Sequence, residues 1–414
     1  LFTNQLINPK QIMNPYLFSL ILGIGLLLPV ADARTWTSSD GAKTFKAELQ
    51  SYDEESGKVV VKRINGSTMK FQQSILSEKD IEFLKTEGKA LLAKKGGGSK
   101  TAVKEVPDVL PDPDGKDADM SKPVKVFILM GQSNMVGAGK VAGLKAATGK
   151  GLYPYLVDDA GNWTVRKDVR NTFVMCSGSS PAKDQQNDWM TIQRNIGPEI
   201  GIGHYVGHVL DEPVLILKSC IGNRSLGYDL LSPSAVGTGV GGKSYEGNKD
   251  DPTRTPKAGD WYAGVQYDGD TKAAKDVLKN LSTYYPGAKK FEVAGFFFWQ
   301  GAKDLNPATG SAENYEVNLV HLIKDLRKDF NAPDAPFVCA TMGQEKKGGK
   351  ITDAQLAVDG KTGKYPEFKG NVATFYSNPV SKGGSANGHY GGNAETYMNI
   401  GEGMGRLMAE LLAK

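Results

Sequence analysis

Val124-Lys125-Val126-Phe127-Ile128-Leu129-Met130-Gly131-Gln132-Ser133-Asn134-Met135 decides the fold of the larger part of this 414-residue chain. Its first seven residues form a nearly continuous apolar, β-rich run, the composition of a strand covered on both faces. Gly131 stops the run, and the polar residues after it suit a strand-to-helix turn. Four more short apolar runs follow, at residues 214–217, 291–298, 336–340 and 372–376. Helical patterns lie between or after them at about 197–210, 272–284, 312–330 and 394–412. This alternation predicts an α/β domain of three layers, a parallel five-stranded sheet with helices on both faces. The stretch 225–261 has no such period and is rich in glycine, serine and lysine. A loop of that length on a compact domain is more often functional than idle.

Composition narrows the field. The chain is 40% hydrophobic and 23% charged, which supports two or more domains with real cores and excludes a disordered tail or a multi-pass membrane protein. A net charge of +4 is too small for a nucleic-acid or membrane-surface protein. Fifty glycines without a Gly-X-Y period mean many tight turns and no fibre. The three cysteines, Cys176, Cys220 and Cys339, supply neither a disulfide framework nor metal-ligand spacing.

The first residues read as an address. Residues 16–30 are an almost unbroken apolar run closed by Pro29 and followed by Ala31-Asp32-Ala33, a small-x-small cleavage pattern. The run is shorter than the ~20 apolar residues a spanning helix needs and contains Gly23, Gly25 and Pro29, so a permanent N-terminal anchor is the weaker alternative. A signal peptide over 1–33 is expected, with the protein secreted, periplasmic or at the cell surface, and without a membrane partner after cleavage.

Residues 34–88 alternate in short β-rich runs, 44–49, 58–63 and 69–71, with Asn65-Gly66 as a hairpin turn and Ser77 as a helix cap. They predict a small β-barrel. Residues 89–121 read as a linker, flexible over Gly96-Gly97-Gly98 and stiffer over Pro107, Pro111 and Pro113. The α/β domain then occupies 122–414.

In open α/β sheets ligands bind beyond the carboxyl ends of the strands. Four strand ends deliver candidates: Gln132-Ser133-Asn134, Gly222-Asn223-Arg224, Trp299-Gln300-Gly301 and Gly388-His389-Tyr390. A serine hydroxyl needs an imidazole to take its proton, and of four histidines only His389 lies in a loop at that edge. His321 lies in a helical stretch. His204 and His208 share a helix face, but His-Tyr-Val-Gly-His lacks the glutamate of the zinc-peptidase pattern and a third ligand. Acyl transfer also needs donors for an oxyanion, and the backbone N–H groups of Ser133 and Gly222 and the side-chain amide of Gln300 suit that need. Taken alone, Ser133 reads as an ordinary helix cap; the convergence of four strand ends favours a hydrolase. Gln132, Asn134, Asn223 and Arg224 are then the expected substrate contacts. Aromatic residues of the long insertion, Trp261 among them, read equally as sugar-site residues or as packing anchors.

Gly131-Gln132-Ser133-Asn134-Met135, Gly197-Pro198-Glu199, Gly222-Asn223-Arg224-Ser225-Leu226 and Trp299-Gln300-Gly301 resemble the blocks of the sialate O-acetylesterase-like domain, a carbohydrate-esterase branch of the SGNH hydrolases with a flavodoxin-like sheet. The resemblance implies removal of acetyl groups from sugars, with Ser133 as nucleophile, His389 as base, Ser133, Gly222 and Gln300 around the oxyanion, and no metal or organic cofactor. Two positions depart from the family. Ala386 stands where an aspartate usually precedes the histidine by three residues, and Ala302 stands where relatives are often acidic. Glu395, Asp304 or a backbone carbonyl remain as groups to orient the imidazole. A carbohydrate-binding protein of the same fold that has lost catalysis is the alternative. Arg34-Thr35-Trp36-Thr37-Ser38 and Leu76-Ser77-Glu78-Lys79-Asp80 resemble the SH3-like homology domain of actin-patch adaptors, which implies a protein or peptide partner for that module; a plain spacer is the competing reading.

Overall fold

A computed structural model describes residues 34–54, 56–63, 67–88, 103–247, 260–306 and 311–414. The apolar segment at 16–30, the Asn65-Gly66 turn, the Gly96-Gly97-Gly98 stretch and residues 248–259 of the long insertion lie outside them. The chain divides into two compact units, Leu1–Lys95 and Gly96–Lys414.

In the first unit, β1 (Arg34–Thr37), β2 (Thr44–Asp53), β3 (Lys58–Arg63) and β4 (Thr68–Gln72) form an antiparallel meander in chain order. Alternation along the strands turns Trp36, Ala47, Leu49, Val59 and Val61 inward, where Leu76 and Leu84 close the core. Helix α1 (Glu78–Phe83) begins at the expected cap, with Ser77 Oγ accepting from the Asp80 N–H. Asp80 is buried and accepts from Arg34 Nη2 at 2.6 Å and from the Thr37 N–H at 2.7 Å, so the helix start is fastened to the first strand.

The second unit holds β5 (Val124–Gly131), β6 (Gly139–Lys140), β7 (Arg166–Met175), β8 (Lys183–Met190), β9 (Asn195–Ile196), β10 (Val214–Ser219), β11 (Phe291–Trp299), β12 (Phe337–Ala340) and β13 (Val372–Phe375). The main sheet has seven strands, not five, in the order β13-β12-β11-β5-β10-β7-β8. Every neighbouring pair is parallel except β7 with β8, and β6 pairs with β9 apart from it. The two strands missing from the sequence reading are polar for different reasons. In β7, Arg170 is buried because its guanidinium donates to the carbonyls of Tyr284 and Asn187, at 3.0 and 2.8 Å. In β8, Lys183-Asp184-Gln185-Gln186 lines an exposed antiparallel edge, where charge is tolerated and discourages further pairing.

The helices are α2 (Ser133–Val136), α3 (Val141–Thr148), α4 (Glu199–Val209), α5 (Val265–Lys279), α6 (Leu281–Tyr284), α7 (Tyr315–Asp329), α8 (Lys350–Ala357) and α9 (Ala394–Leu412). Both faces of the sheet are covered. Ile216 packs toward Gly203 of α4, whereas Ser219, three residues on and so on the other face, donates to the Asp270 carbonyl of α5 at 2.9 Å. The proline-bearing half of the expected linker lies against this unit. Leu110 enters its core, the Lys104 N–H donates to the Val209 carbonyl at 2.9 Å, and Arg406 pairs with Asp108 at 2.7 Å. Among the described residues no helix is long and apolar enough to cross a membrane.

Candidate active site

β5 is flanked by β11 and β10, so the loops after these three strands meet at one edge. Gly131 has φ +149°, and a Cβ there would come within 2.3 Å of the Trp299 carbonyl oxygen, so the chain turns only because that residue is glycine. Gln132 then anchors to the end of β11. Its N–H donates to the Trp299 carbonyl at 3.2 Å, and its Oε1 accepts from Gln300 Nε2, the Gly301 N–H and the Lys303 N–H at 3.1, 3.3 and 3.3 Å. Gln132 is the cap residue, and Ser133 is the first residue of α2, so Ser133 is not the ordinary cap that its position suggested. Among the described residues, neither the half-buried Ser133 hydroxyl nor its N–H bonds to another protein group.

The far end of the turn is held by a buried pair that the sequence reading left without a role. Lys218, at the end of β10, donates to the Val136 carbonyl at 2.8 Å and pairs with Glu199 at 2.9 Å. A lysine inside the apolar run Val214-Leu215-Ile216-Leu217-Lys218 was the available signal, because a charge there needs a partner.

Gly222 lies directly against the serine. A Cβ on it would stand 3.3 Å from Ser133 Cβ and 3.8 Å from Ser133 Cα, and its N–H also has no protein acceptor among the described residues. Two unspent backbone donors therefore sit beside one unspent hydroxyl. Gln300 is differently placed from expectation. Its Nε2 faces Arg224 O at 2.8 Å, Asp304 Oδ2 at 2.7 Å and Gln132 Oε1 at 3.1 Å, and two amide hydrogens leave none for an oxyanion. Its role in this geometry is to tie three loops together. Asp304 is buried behind it and also accepts the N–H groups of Leu226 and Gly227, both at 2.8 Å; burial raises its pKa, and those bonds oppose the rise. Neither Asp304 nor Glu395 reaches His389: Glu395 pairs with Lys382 at 2.9 Å.

The four expected substrate contacts also divide. Asn223 is exposed, at φ +59°. Gln132 is anchored through its oxygen, and its Nε2 has no protein partner among the described residues. Asn134 points inward: its Nδ2 donates to the Ala386 carbonyl at 3.2 Å and its Oδ1 accepts from Tyr397 OH at 3.1 Å. Arg224 is largely spent on the fold. Nε donates to Gln266 Oε1 at 3.0 Å, Nη1 to the carbonyls of Gly222 and Asn223 at 3.2 and 3.1 Å, and Nη2 to Ser177 Oγ at 3.0 Å.

His389 comes to the edge on a loop fixed by its neighbours. Tyr390 is fully buried, stacks on Trp299 with ring centres 5.9 Å apart, and accepts the Gly343 N–H at 3.0 Å. Three residues before the histidine, Ala386 is the partner of Asn134, which links this loop to the serine turn. His389 and Tyr390 both have φ +52°; with Asn223 they make three of the five non-glycine residues in the left-handed region among the described residues. Such conformations cost of order 1–3 kcal/mol each and gather where a site imposes them. The half-buried imidazole hydrogen-bonds no carboxylate among the described residues.

The remaining reactive groups are quiet. Burial pushes the thiols of Cys176 and Cys339 up to about 12 and that of Cys220 well above the usual thiol range, so none is a thiolate near neutral pH. His204 is buried against Tyr155, and burial with nearby Arg166 holds its pKa far below the ordinary imidazole value. His321 bonds to Ser234 Oγ at 2.7 Å. Among the described residues there is no group of three or more His, Cys, Asp or Glu able to hold a metal.

Fold and site together define a class: an α/β protein with a serine, an imidazole and free backbone donors at the carboxyl edge of a mostly parallel sheet. Residues 260–399 match the SASA family, described as carbohydrate esterase, sialic acid-specific acetylesterase; that stretch carries Gln300 and His389, while Ser133 and Gly222 precede it. Among solved structures the chain is similar to a protein from Arabidopsis thaliana, at 17% identity over 69% of this chain and 98% of that one, TM-score 0.39. It is similar to a carbohydrate acetylesterase from Xanthomonas citri, at 13% identity over 92% and 69% of the two chains, TM-score 0.41. The third is NanS, at 15% identity over 56% and 69%, TM-score 0.29. No curated protein matches the sequence.

Proposed function

We propose that the chain is a serine carboxylic ester hydrolase that removes O-acetyl groups from carbohydrates. The observation that carries this reading is the pair of unspent N–H groups at Ser133 and Gly222 beside the unspent Ser133 hydroxyl. His389 takes the hydroxyl proton as Ser133 Oγ bonds to the acyl carbon, and the carbonyl electron pair moves onto oxygen. The two N–H groups hold that oxyanion; a donor of this kind is worth about 3–4 kcal/mol of barrier. Collapse expels the sugar oxygen, which takes the proton from His389. A water molecule repeats the sequence on the acyl-serine and releases acetate. The carbohydrate part of the reading rests on the family match at 260–399. Gln300 acts here by holding Gln132 and the Arg224 carbonyl in place.

Labelling with a fluorophosphonate probe, with acetate release from acetylated xylan, pectin and O-acetyl sialic acid, tests it. Wild type labels and releases acetate, and Ser133→Ala does neither; equal labelling of both proteins overturns the nucleophile assignment. One observation favours a second reading, a carbohydrate-binding protein without turnover: Ala386 occupies the usual place of the acid, and its carbonyl already accepts from the Asn134 amide and the His389 N–H. Binding of acetylated oligosaccharide with acetate release no higher than in Ser133→Ala selects that reading. Export of the protein and a peptide partner for the first unit belong to the same proposal; truncation at the Gly96-Gly97-Gly98 stretch separates binding by that unit from hydrolysis.

A further inference from the structure

We propose that the exposed surface of Trp261 is a platform for a pyranose ring beside Ser133, and that it selects sugar esters over esters without a ring. The proposal rests on the esterase reading above. Trp261 is 44% exposed. An isolated exposed apolar residue needs no explanation, but this one is held rigidly at its polar edge and by a cation. Its Nε1 donates at 3.0 Å to Oδ1 of the buried Asp229, whose Oδ2 accepts from the Ser225 N–H and hydroxyl at 2.8 and 3.1 Å. The Arg224 guanidinium lies 4.7 Å from the indole centre. Gly178 approaches so closely that a Cβ there would stand 3.0 Å from the ring. The indole is therefore fixed in orientation while almost half of its surface meets water.

The same contacts connect it, through Arg224, to the loop that carries Gly222. Arg224 holds the Gly222 carbonyl at 3.2 Å, and Gly222 lies against Ser133. Four of the five guanidinium N–H groups are spent on Gln266, Gly222, Asn223 and Ser177, which leaves one on Nη2 for a ring hydroxyl. A pyranose presents a face of C–H groups with hydroxyls at its rim, and a flat amphipathic indole beside a single donor matches both parts. A prepositioned side chain loses little conformational entropy on binding. Pyranosyl esters are the substrate class this surface fits.

Steady-state kinetics of wild type, Trp261→Ala and Trp261→Phe with acetylated methyl β-xylopyranoside and with ethyl acetate form the test. Ethyl acetate is the ringless reference, because the ring of an aryl ester can itself stack on an indole. In Trp261→Ala the ratio of kcat/KM for the sugar ester to that for ethyl acetate is expected to fall about tenfold, chiefly through KM, and Trp261→Phe restores most of it. A proportional fall for both esters, or an unchanged ratio, overturns the platform. Failure of the esterase reading is seen separately, as wild type hydrolysing neither ester faster than Ser133→Ala. Calorimetric binding of xylotetraose then decides: weaker binding by Trp261→Ala supports the platform, and equal binding overturns it.

Discussion

The serine side and the histidine side of the site are positioned by different means. Ser133 follows directly from the register of β5 against β11, where Trp299 pairs with Gly131, and most restraints on its turn are backbone or a buried polar group answering backbone. His389 sits beyond the last strand in a loop with two consecutive residues at φ +52°; backbone bonds such as that from the His389 N–H to the Ala386 carbonyl at 3.0 Å close the loop on itself, and the ring of Tyr390 on Trp299 and the Asn134 amide on the Ala386 carbonyl tie it to the rest of the domain. A backbone device is insensitive to most side-chain changes, whereas a device built from a few side chains is lost with any one of them. The address of Ser133, the proposed nucleophile, should therefore survive substitutions that scatter His389, the proposed base.

The comparison meets its hardest test in the two reacting groups themselves. Ser133→Ala is expected to lower kcat by about four orders of magnitude or more, and His389→Ala by a comparable factor, because members of such a unit fail together. Acetate release by purified variants measures both. Retention of activity within tenfold of wild type in His389→Ala would break the comparison, since the second side would then not belong to the site.

Gly222→Ala probes the serine side by distance alone. Gly222 is not among the glycines with positive φ, so alanine is permitted by its backbone, and the effect comes from a methyl group 3.3 Å from Ser133 Cβ. A fall in kcat of roughly ten- to a hundredfold is expected, the upper figure being the size for a misplacement of about 1 Å and the contact itself asking a shift of a few tenths of an ångström, with thermal stability nearly unchanged. A large loss of stability with kcat preserved in the folded fraction would assign Gly222 to packing instead.

Asn134→Ala cuts the bridge between the two sides. It removes one of the two donors to the Ala386 carbonyl, which keeps the His389 N–H at 3.0 Å, and leaves the Tyr397 hydroxyl hydrogen without its acceptor, an expected cost of about 1–3 kcal/mol in urea unfolding. Because the histidine side depends on that bridge, kcat should fall about tenfold, while labelling of Ser133 by a small fluorophosphonate falls less. Equal losses in both readouts would mean that the serine turn is no better anchored than the histidine loop.

These differences also explain what was legible in the sequence. Strands buried on both faces announce themselves as apolar runs, so β5, β10, β11, β12 and β13 were readable, and α9 was placed to the residue. β7 was hidden because Arg170 is satisfied by carbonyls of other chain segments and Arg166 by the carboxylate of Asp168, and β8 because an exposed edge carries no apolar signal. Residue type identified Ser133, Gly222 and His389 as candidates, yet it could not tell that the amides of Asn134 and Gln300 are turned to the fold's own oxygens. That assignment depends on which carbonyls come within about 3 Å, a tertiary property with no local pattern. Lys218 and Glu199 were legible in principle as charges in apolar surroundings.

The smallest effect sharpens the serine side from behind. Gln266, which holds Arg224 and through it the Gly222 carbonyl, also donates to Asp270 Oδ1 at 2.7 Å, and Asp270 Oδ2 is buried without a partner. Burial drives the Asp270 pKa well above the usual carboxylate range, against the weaker pull of the bonds from Gln266 and Cys176 and of the Arg224 charge. The native protein therefore keeps a proton that the unfolded chain releases near pH 4. Between that pH and the raised native pKa the unfolded state binds fewer protons than the native state, so this group's contribution to stability falls as pH rises, by at most about 1.4 kcal/mol per pH unit. Asp270→Asn removes the proton from the balance. Urea unfolding at a series of pH values should show the variant gaining on wild type steadily above about pH 4, with no change in their difference below it. A difference independent of pH would mean that Asp270 is ionised in the native state, and the support under Gly222 would then be a buried charge that Arg224 must answer.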